Sequence, residues 1–178
     1  SFKTSVHGKT GDPKSPANNG ACFACHGDGT EHVKAGGGRG VGGIVNPGPS
    51  NKTMPAEAKS AICLACHATT RELAFWEAGQ HKKNDVTCSN CHNPHAPRPS
   101  DTRTSCAKCH GAQVTQISRE GPEGHTGCFD CHKPHDNPRP PADVCAKCHA
   151  ERAKLVAAAS PPKHRACMSC HEKHKFKI

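Results

Sequence analysis

The chain has 178 residues and a formal charge of +9, with 33% hydrophobic residues, 3% aromatic residues and no Tyr. That is too little apolar side chain to build a core for this length, and no apolar stretch approaches membrane-spanning length. The positive charge is not gathered into the blocks of a nucleic-acid arm, the longest basic run being Lys82-Lys83, so nucleic acid is excluded as a partner.

Residues 1–21 read as polar and turn-rich, with Gly8, Gly11, Pro13, Pro16 and Asn18-Asn19, and carry one isolated histidine, His7. Cys22-Phe23-Ala24-Cys25-His26 follows, then Gly-Asp-Gly-Thr-Glu-His32 and a glycine-rich stretch from Gly36 to Gly48. That stretch reads as a solvated connector; the alternative is that glycine lets backbone approach a neighbour closely. From Pro55 the pattern turns helical into Cys63, with proline in the first turn. Thr69-Thr70-Arg71-Glu72 reads as a capping box opening a helix through about Gly79, which carries Phe75 and Trp76 and delivers His81. Trp76 is read as an aromatic packed on a cofactor. Between His149 and His164, Ala-Glu-Arg-Ala-Lys-Leu-Val-Ala-Ala-Ala predicts a short helix stopped by Pro161-Pro162.

The phrase Cys-x-x-Cys-His organises the whole chain. It occurs seven times, as Cys22/Cys25/His26, Cys63/Cys66/His67, Cys88/Cys91/His92, Cys106/Cys109/His110, Cys128/Cys131/His132, Cys145/Cys148/His149 and Cys167/Cys170/His171, and uses all 14 cysteines. A Cys-x-x-Cys pair alone fits a zinc half-site or a redox dithiol. Neither requires a histidine directly after every pair, and c-type haem attachment does. Two thiols one helical turn apart bond covalently to one porphyrin, and the adjacent imidazole reaches its iron. The cofactor expectation is therefore seven c-type haems, whose faces replace the missing apolar core and whose propionates answer the Lys and Arg side chains. Apoprotein is expected to be largely unfolded.

The motifs repeat in a pattern. Tight forms with a second histidine three residues on start at Cys88, Cys128 and Cys167, 40 and 39 residues apart, and alternate with plain forms. The expected fold is mostly irregular coil with short α-helices and little or no β-sheet. It would be an elongated array of haems built from two-haem modules of about 40 residues. Residues 1–178 read as a single multihaem domain, with a single-haem segment at 1–54 and three modules at 55–178.

Eight histidines lie outside the motifs: His7, His32, His81, His95, His125, His135, His164 and His174. Seven irons each want a sixth ligand, so bis-histidine ligation with one histidine spare is expected. A histidine three residues past its own motif cannot reach the far face of the same haem, so His95, His135 and His174 must serve neighbours or nothing. One order takes every sixth ligand upstream of its motif, from His7 through His164, and leaves His174 free. A rival gives His81, His125 and His164 to the preceding plain motifs. Met54 and Met168 are weaker alternatives.

Ser5-Val-His7-Gly-Lys, Ala21-Cys…His26-Gly-Asp-Gly-Thr-Glu-His32, Ala61-Ile-Cys-Leu-Ala-Cys-His67, Phe75-Trp-Glu and Asp85-Val-Thr-Cys88-Ser-Asn-Cys-His92-Asn-Pro-His95 together resemble the MtrA/DmsE-type periplasmic decahaem cytochromes. The resemblance runs along nearly the whole chain, which looks like a run lacking the first motif and the last two. It implies electron transfer in respiratory or extracellular, metal-linked traffic. The implied partners are other redox proteins, among them an outer-membrane porin and an outer cytochrome. The implied location is the periplasm, outer-membrane-associated or extracellular, with a signal peptide already removed. Low potential is expected for His/His ligation. A multihaem reductase of nitrite or a sulfur oxyanion would need an open iron, whereas here sixth ligands are in surplus; the chain reads as a carrier, not an enzyme. A structural role in a porin–cytochrome complex or filament is the third reading.

Overall fold

The computed structural model describes residues 1–97, 101–136, 143–159 and 167–177. Among them there are short helices, 3-10 turns and coil, and no strand. In chain order the helices are α1 Phe23–His26, α2 Thr30–Lys34, α3 Ala56–His67, α4 Gln80–Lys83, α5 Cys88–Cys91, α6 Arg103–Glu120, α7 Cys128–Cys131 and α8 Ala150–Ala159. No helix among the described residues is long and apolar enough to cross a membrane. The chain divides into two compact units, Ser1–Ser100 and Asp101–Ile178, so the boundary falls between the third and fourth motifs.

What the helices lack is a core. Trp76, 5% exposed, is the single buried hydrophobic residue among those described, while Phe23, Phe75 and Phe129 lie open. The chain exposes 12993 Å², against about 8,300 Å² for a folded monomer of this size. The remaining surface is what a set of large apolar cofactors would cover, and the side chains alone leave it bare.

In the unit Ser1–Ser100, the first residues are held by polar groups. Ser5 is 1% and Ser15 4% exposed. The Ser15 hydroxyl donates to the His7 carbonyl at 2.6 Å, and Asn18 and Asn19 donate to the carbonyls of Thr10, Asp12, Pro13 and Ser15. Helix α3 starts after Pro55 as its proline predicts and carries Cys63, Cys66 and His67 towards its end. The helix expected from Thr70 to Gly79 is not continuous. It is two 3-10 turns, Arg71–Leu73 and Trp76–Ala78, separated at Phe75 (φ −112°, ψ 10°). The Thr70 hydroxyl caps nothing ahead of it and donates back to the His67 carbonyl at 2.9 Å, so no capping box starts a full helix. His81 is delivered by the separate turn α4.

The glycine-rich stretch is no plain connector. Gly42 (φ +72°) lies so close to α2 that a Cβ there would stand 2.2 Å from the His32 nitrogen. Glycine is required at such a position both for its dihedral and for its bare α-carbon.

In the unit Asp101–Ile178, α6 carries the fourth motif within its length and breaks its geometry at His110 (φ −107°, ψ 38°). Helix α8 forms as its sequence predicts; Pro161-Pro162 and His164 lie outside the described residues. The C-terminal segment folds back as a hook, with Phe176 N–H donating to the Glu172 carbonyl (2.7 Å) and Glu172 N–H to that of Lys177 (2.8 Å). His174 (φ +64°) and Phe176 (φ +57°) take left-handed backbone inside it, at a cost of about 1–2 kcal/mol each.

Candidate haem sites

Each Cys-x-x-Cys spans one turn of helix or 3-10 helix, the local form that sets two sulfurs on one side with the histidine just beyond. In the third motif that turn is anchored from in front. The Thr87 N–H and hydroxyl both donate to the Asn90 side chain at 2.7 Å, and the Ser89 hydroxyl donates to the Pro47 carbonyl at 2.8 Å. This anchor was missed in the sequence, although Thr87-x-x-Asn90 is a visible cap signal.

The cysteines of successive motifs meet. In the first unit the Cys63 thiol donates to the Cys88 sulfur. That bond, with a second from Ser60, pulls Cys88 down to about 6 and pushes Cys63 far up. Cys25 lies near Cys66. In the second unit Cys145 is hydrogen-bonded to Cys167, and Cys131 lies near Cys148. These are free thiols standing where thioethers would form.

The two sulfurs of a motif are not equally covered. The first is half-buried in every motif except the first, where Cys22 is exposed and Cys25 half-buried. The second is exposed at Cys66, Cys91, Cys109, Cys148 and Cys170 and half-buried at Cys131. The fourth motif follows the commoner pattern. Cys106 and Cys109 both lie on α6, which runs on to Glu120, and Cys109 is an exposed free thiol not drawn into the chain of joined sulfurs. Cys109 remains open to a porphyrin, but protein side chains do not cover it.

The histidines are arranged as specifically. Four imidazoles donate Nδ1–H to a backbone carbonyl: His26 to Val45 (2.6 Å), His32 to Val41 (2.8 Å), His125 to Glu123 (3.2 Å) and His171 to Phe176 (2.8 Å). A carbonyl can only accept, so the ring must carry its proton on Nδ1, leaving the Nε2 lone pair for a metal. The glycine-rich stretch supplies two of these carbonyls and thereby clamps both His26 and His32.

Among the described residues, several imidazoles lie close together in pairs, one of them edge-on. His26 lies 5.6 Å from His95, His67 6.0 Å from His7, His149 5.7 Å from His125 and His132 6.1 Å from His174, centroid to centroid. Each of these four joins a motif histidine to a non-motif histidine. Two imidazoles bound through Nε2 to one iron at about 2 Å each would place their centroids about 6 Å apart. Plain aromatic contacts also occupy this range, but they would not select one motif partner and one outside partner each time. The residues present fit a haem between each pair of rings. Burial, with His132 and Lys173 beside it, holds the His174 imidazole below its usual range, which favours the neutral form that can ligate.

The pairs follow neither order expected from sequence. His7 stands beside His67 instead of His26, and His95 beside His26, two motifs back. His125 stands beside His149, and His174, expected to be the free one, beside His132. His81, His92, His110 and His135 each have further interactions; His164 lies outside the described residues.

Residues 22–105 match the family model of the cytochrome c-type protein NrfB-like group. The chain is also 29% identical, over 139 residues, to the multiheme cytochrome MtrA of Shewanella baltica (strain OS185). In both comparisons the chain is similar to multihaem c-type cytochromes. The alignment with MtrA takes in 73% of this chain and 40% of the relative, so the chain spans about two fifths of the length of that protein. Short helices and coil without strands among the described residues are consistent with that likeness.

Proposed function

We propose that this cytochrome moves electrons along seven covalently attached c-type haems held mostly by two histidines each, and transforms no substrate. The observation that carries this reading is the set of four ring pairs, each combining a motif histidine with one from elsewhere in the chain. Two strong axial ligands leave no position for substrate and favour low potential. The proposed pairs are His26 with His95, His67 with His7, His132 with His174 and His149 with His125. His32, His81, His135 and His164 remain candidates for the rest. The order of electron passage follows from the sulfurs: attached through neighbouring cysteines, haems one to three and five to seven would each meet in sequence order.

Covalent haem attachment belongs to oxidising compartments outside the cytoplasm, which supports a periplasmic or outer-membrane-associated setting. The partners are other redox proteins, with an outer-membrane porin and an outer cytochrome as the finer proposal. The test is a mass measurement with a potentiometric titration followed by magnetic circular dichroism. Seven attached porphyrins, reversible multi-step reduction and predominantly low-spin bis-imidazole signals are expected. Fewer porphyrins, or high-spin signals from most centres, would overturn the reading. Co-purification with a β-barrel tests the partner.

A further inference from the structure

Resting on that bis-histidine reading, we infer that Phe176 is a positioning residue for two of the proposed haems at once. Its backbone carbonyl fixes the motif imidazole of the seventh, His171, and its ring packs on the partner imidazole of the sixth, His125. The His171 ring donates Nδ1–H to that carbonyl at 2.8 Å, which holds the tautomer whose Nε2 can ligate. The Phe176 ring lies 4.9 Å from the His125 ring, tilted by 41°. His125 in turn lies 5.7 Å from His149. One residue thus touches imidazoles that belong to two consecutive motifs.

The backbone around it is strained and tied down. Phe176 takes φ +57°, in the left-handed region, which a bulky residue rarely adopts. Such strain persists only where the surroundings over-determine it, and here they do. Phe176 N–H donates to the Glu172 carbonyl at 2.7 Å, and Glu172 N–H to that of Lys177 at 2.8 Å. Lys175 pairs with Glu172 at 2.8 Å and with Glu120, at the end of α6, at 3.6 Å. The hook is therefore fastened to α6 as well as to itself. Glycine would take the same dihedral without strain; what phenylalanine adds there is its ring.

The two contacts act in opposite directions. Donating Nδ1–H makes the ligating nitrogen more basic and favours ferric iron, which lowers the potential of the seventh haem. An apolar ring beside a ligand keeps water away and disfavours the extra charge of ferric iron, which raises the potential of the sixth. The difference favours one electron leaving a ferrous seventh iron for a ferric sixth, with no bond made or broken.

The experiment is a potentiometric titration of the haem-loaded chain followed by electron paramagnetic resonance. Phe176→Gly keeps the left-handed backbone and the carbonyl but removes the ring, so one reduction step should move to lower potential. Phe176→Pro removes the N–H that closes on Glu172 and fixes φ at about −65°, so the hook opens. It should in addition move a second step to higher potential. The Nδ1 proton of one ligating histidine, followed by paramagnetic nuclear magnetic resonance, should then exchange faster with deuterium. Lys175→Met breaks both ion pairs and should move the same two steps less, which keeps the test alive if the proline variant fails to fold. A titration unmoved in Phe176→Gly overturns the inference, as does an upward step missing from both Phe176→Pro and Lys175→Met; low-spin signals would leave the bis-histidine reading standing. Equal movement of every step in Phe176→Gly would mark a merely structural role and also overturn it. Mostly high-spin signals in the unsubstituted chain would defeat the bis-histidine reading and this inference with it.

Discussion

The units Ser1–Ser100 and Asp101–Ile178 make the same arrangement of sulfurs and rings out of different local structure. In each, three consecutive motifs are joined second cysteine to second cysteine (Cys25 with Cys66, Cys131 with Cys148), then first to first (Cys63 with Cys88, Cys145 with Cys167). In each, the first motif's histidine faces the trailing histidine of the third. Yet Cys63 sits near the end of a 12-residue helix, whereas Cys145 sits in a 3-10 turn that precedes one. His7 is presented by a knot of serine and asparagine bonds, His125 by the turn after α6. The first unit clamps a proximal histidine with a glycine-rich stretch, the second with a C-terminal hook. What the units share is the geometry that the proposed porphyrins would require of the atoms that bind them; the backbone is free to meet it in either way. On that proposal the cofactors, not the helices, are the repeating structural element.

The sharpest way to break this comparison is to remove the shared element. Chain produced without haem attachment should lose most of its far-ultraviolet helical signal in both units, because one buried tryptophan cannot hold 178 residues. Retained helix in either unit would mean that its backbone is self-sufficient. Next in size, His95→Ala and His174→Ala should each convert about one haem from low-spin to high-spin, read by electron paramagnetic resonance. An effect in one variant and none in the other would show that the units are not equivalent.

Smaller effects separate the local devices. Gly42→Ala places a methyl on the His32 backbone at a left-handed position. It should cost about 2 kcal/mol or more and lower the melting temperature by about 5 °C, with new proteolytic cleavage between residues 36 and 48. Thr87→Ala, which removes one of the two bonds to Asn90, should cost about 1 kcal/mol in a denaturant titration. Glu31→Gln breaks an exposed ion pair with Lys34 and should shift stability by less than about 0.5 kcal/mol. A larger change would mean that α2 depends on more than its glycine clamp.

The attachment chemistry was legible from the chain because it depends on residues two to four positions apart, where covalent geometry leaves little choice. Seven Cys-x-x-Cys-His phrases, helix α3 after Pro55 and helix α8 between His149 and Pro161 all belong to that local class. The partner of each histidine was not legible. His95 and His174 reach back two motifs and His7 reaches over one, and no local rule specifies which of several imidazoles a distant iron receives. Nor did the uniform phrase disclose that Cys63 and Cys145 would meet the sulfurs of later motifs. The Gly42 contact and the broken helix at Phe75 were likewise decided by what packs against them. Composition and spacing pointed to covalent haem and to an interior not made of side chains; the tertiary structure alone decided which imidazoles come to lie beside one another, because that placement is made across space by backbone carbonyls that orient the rings.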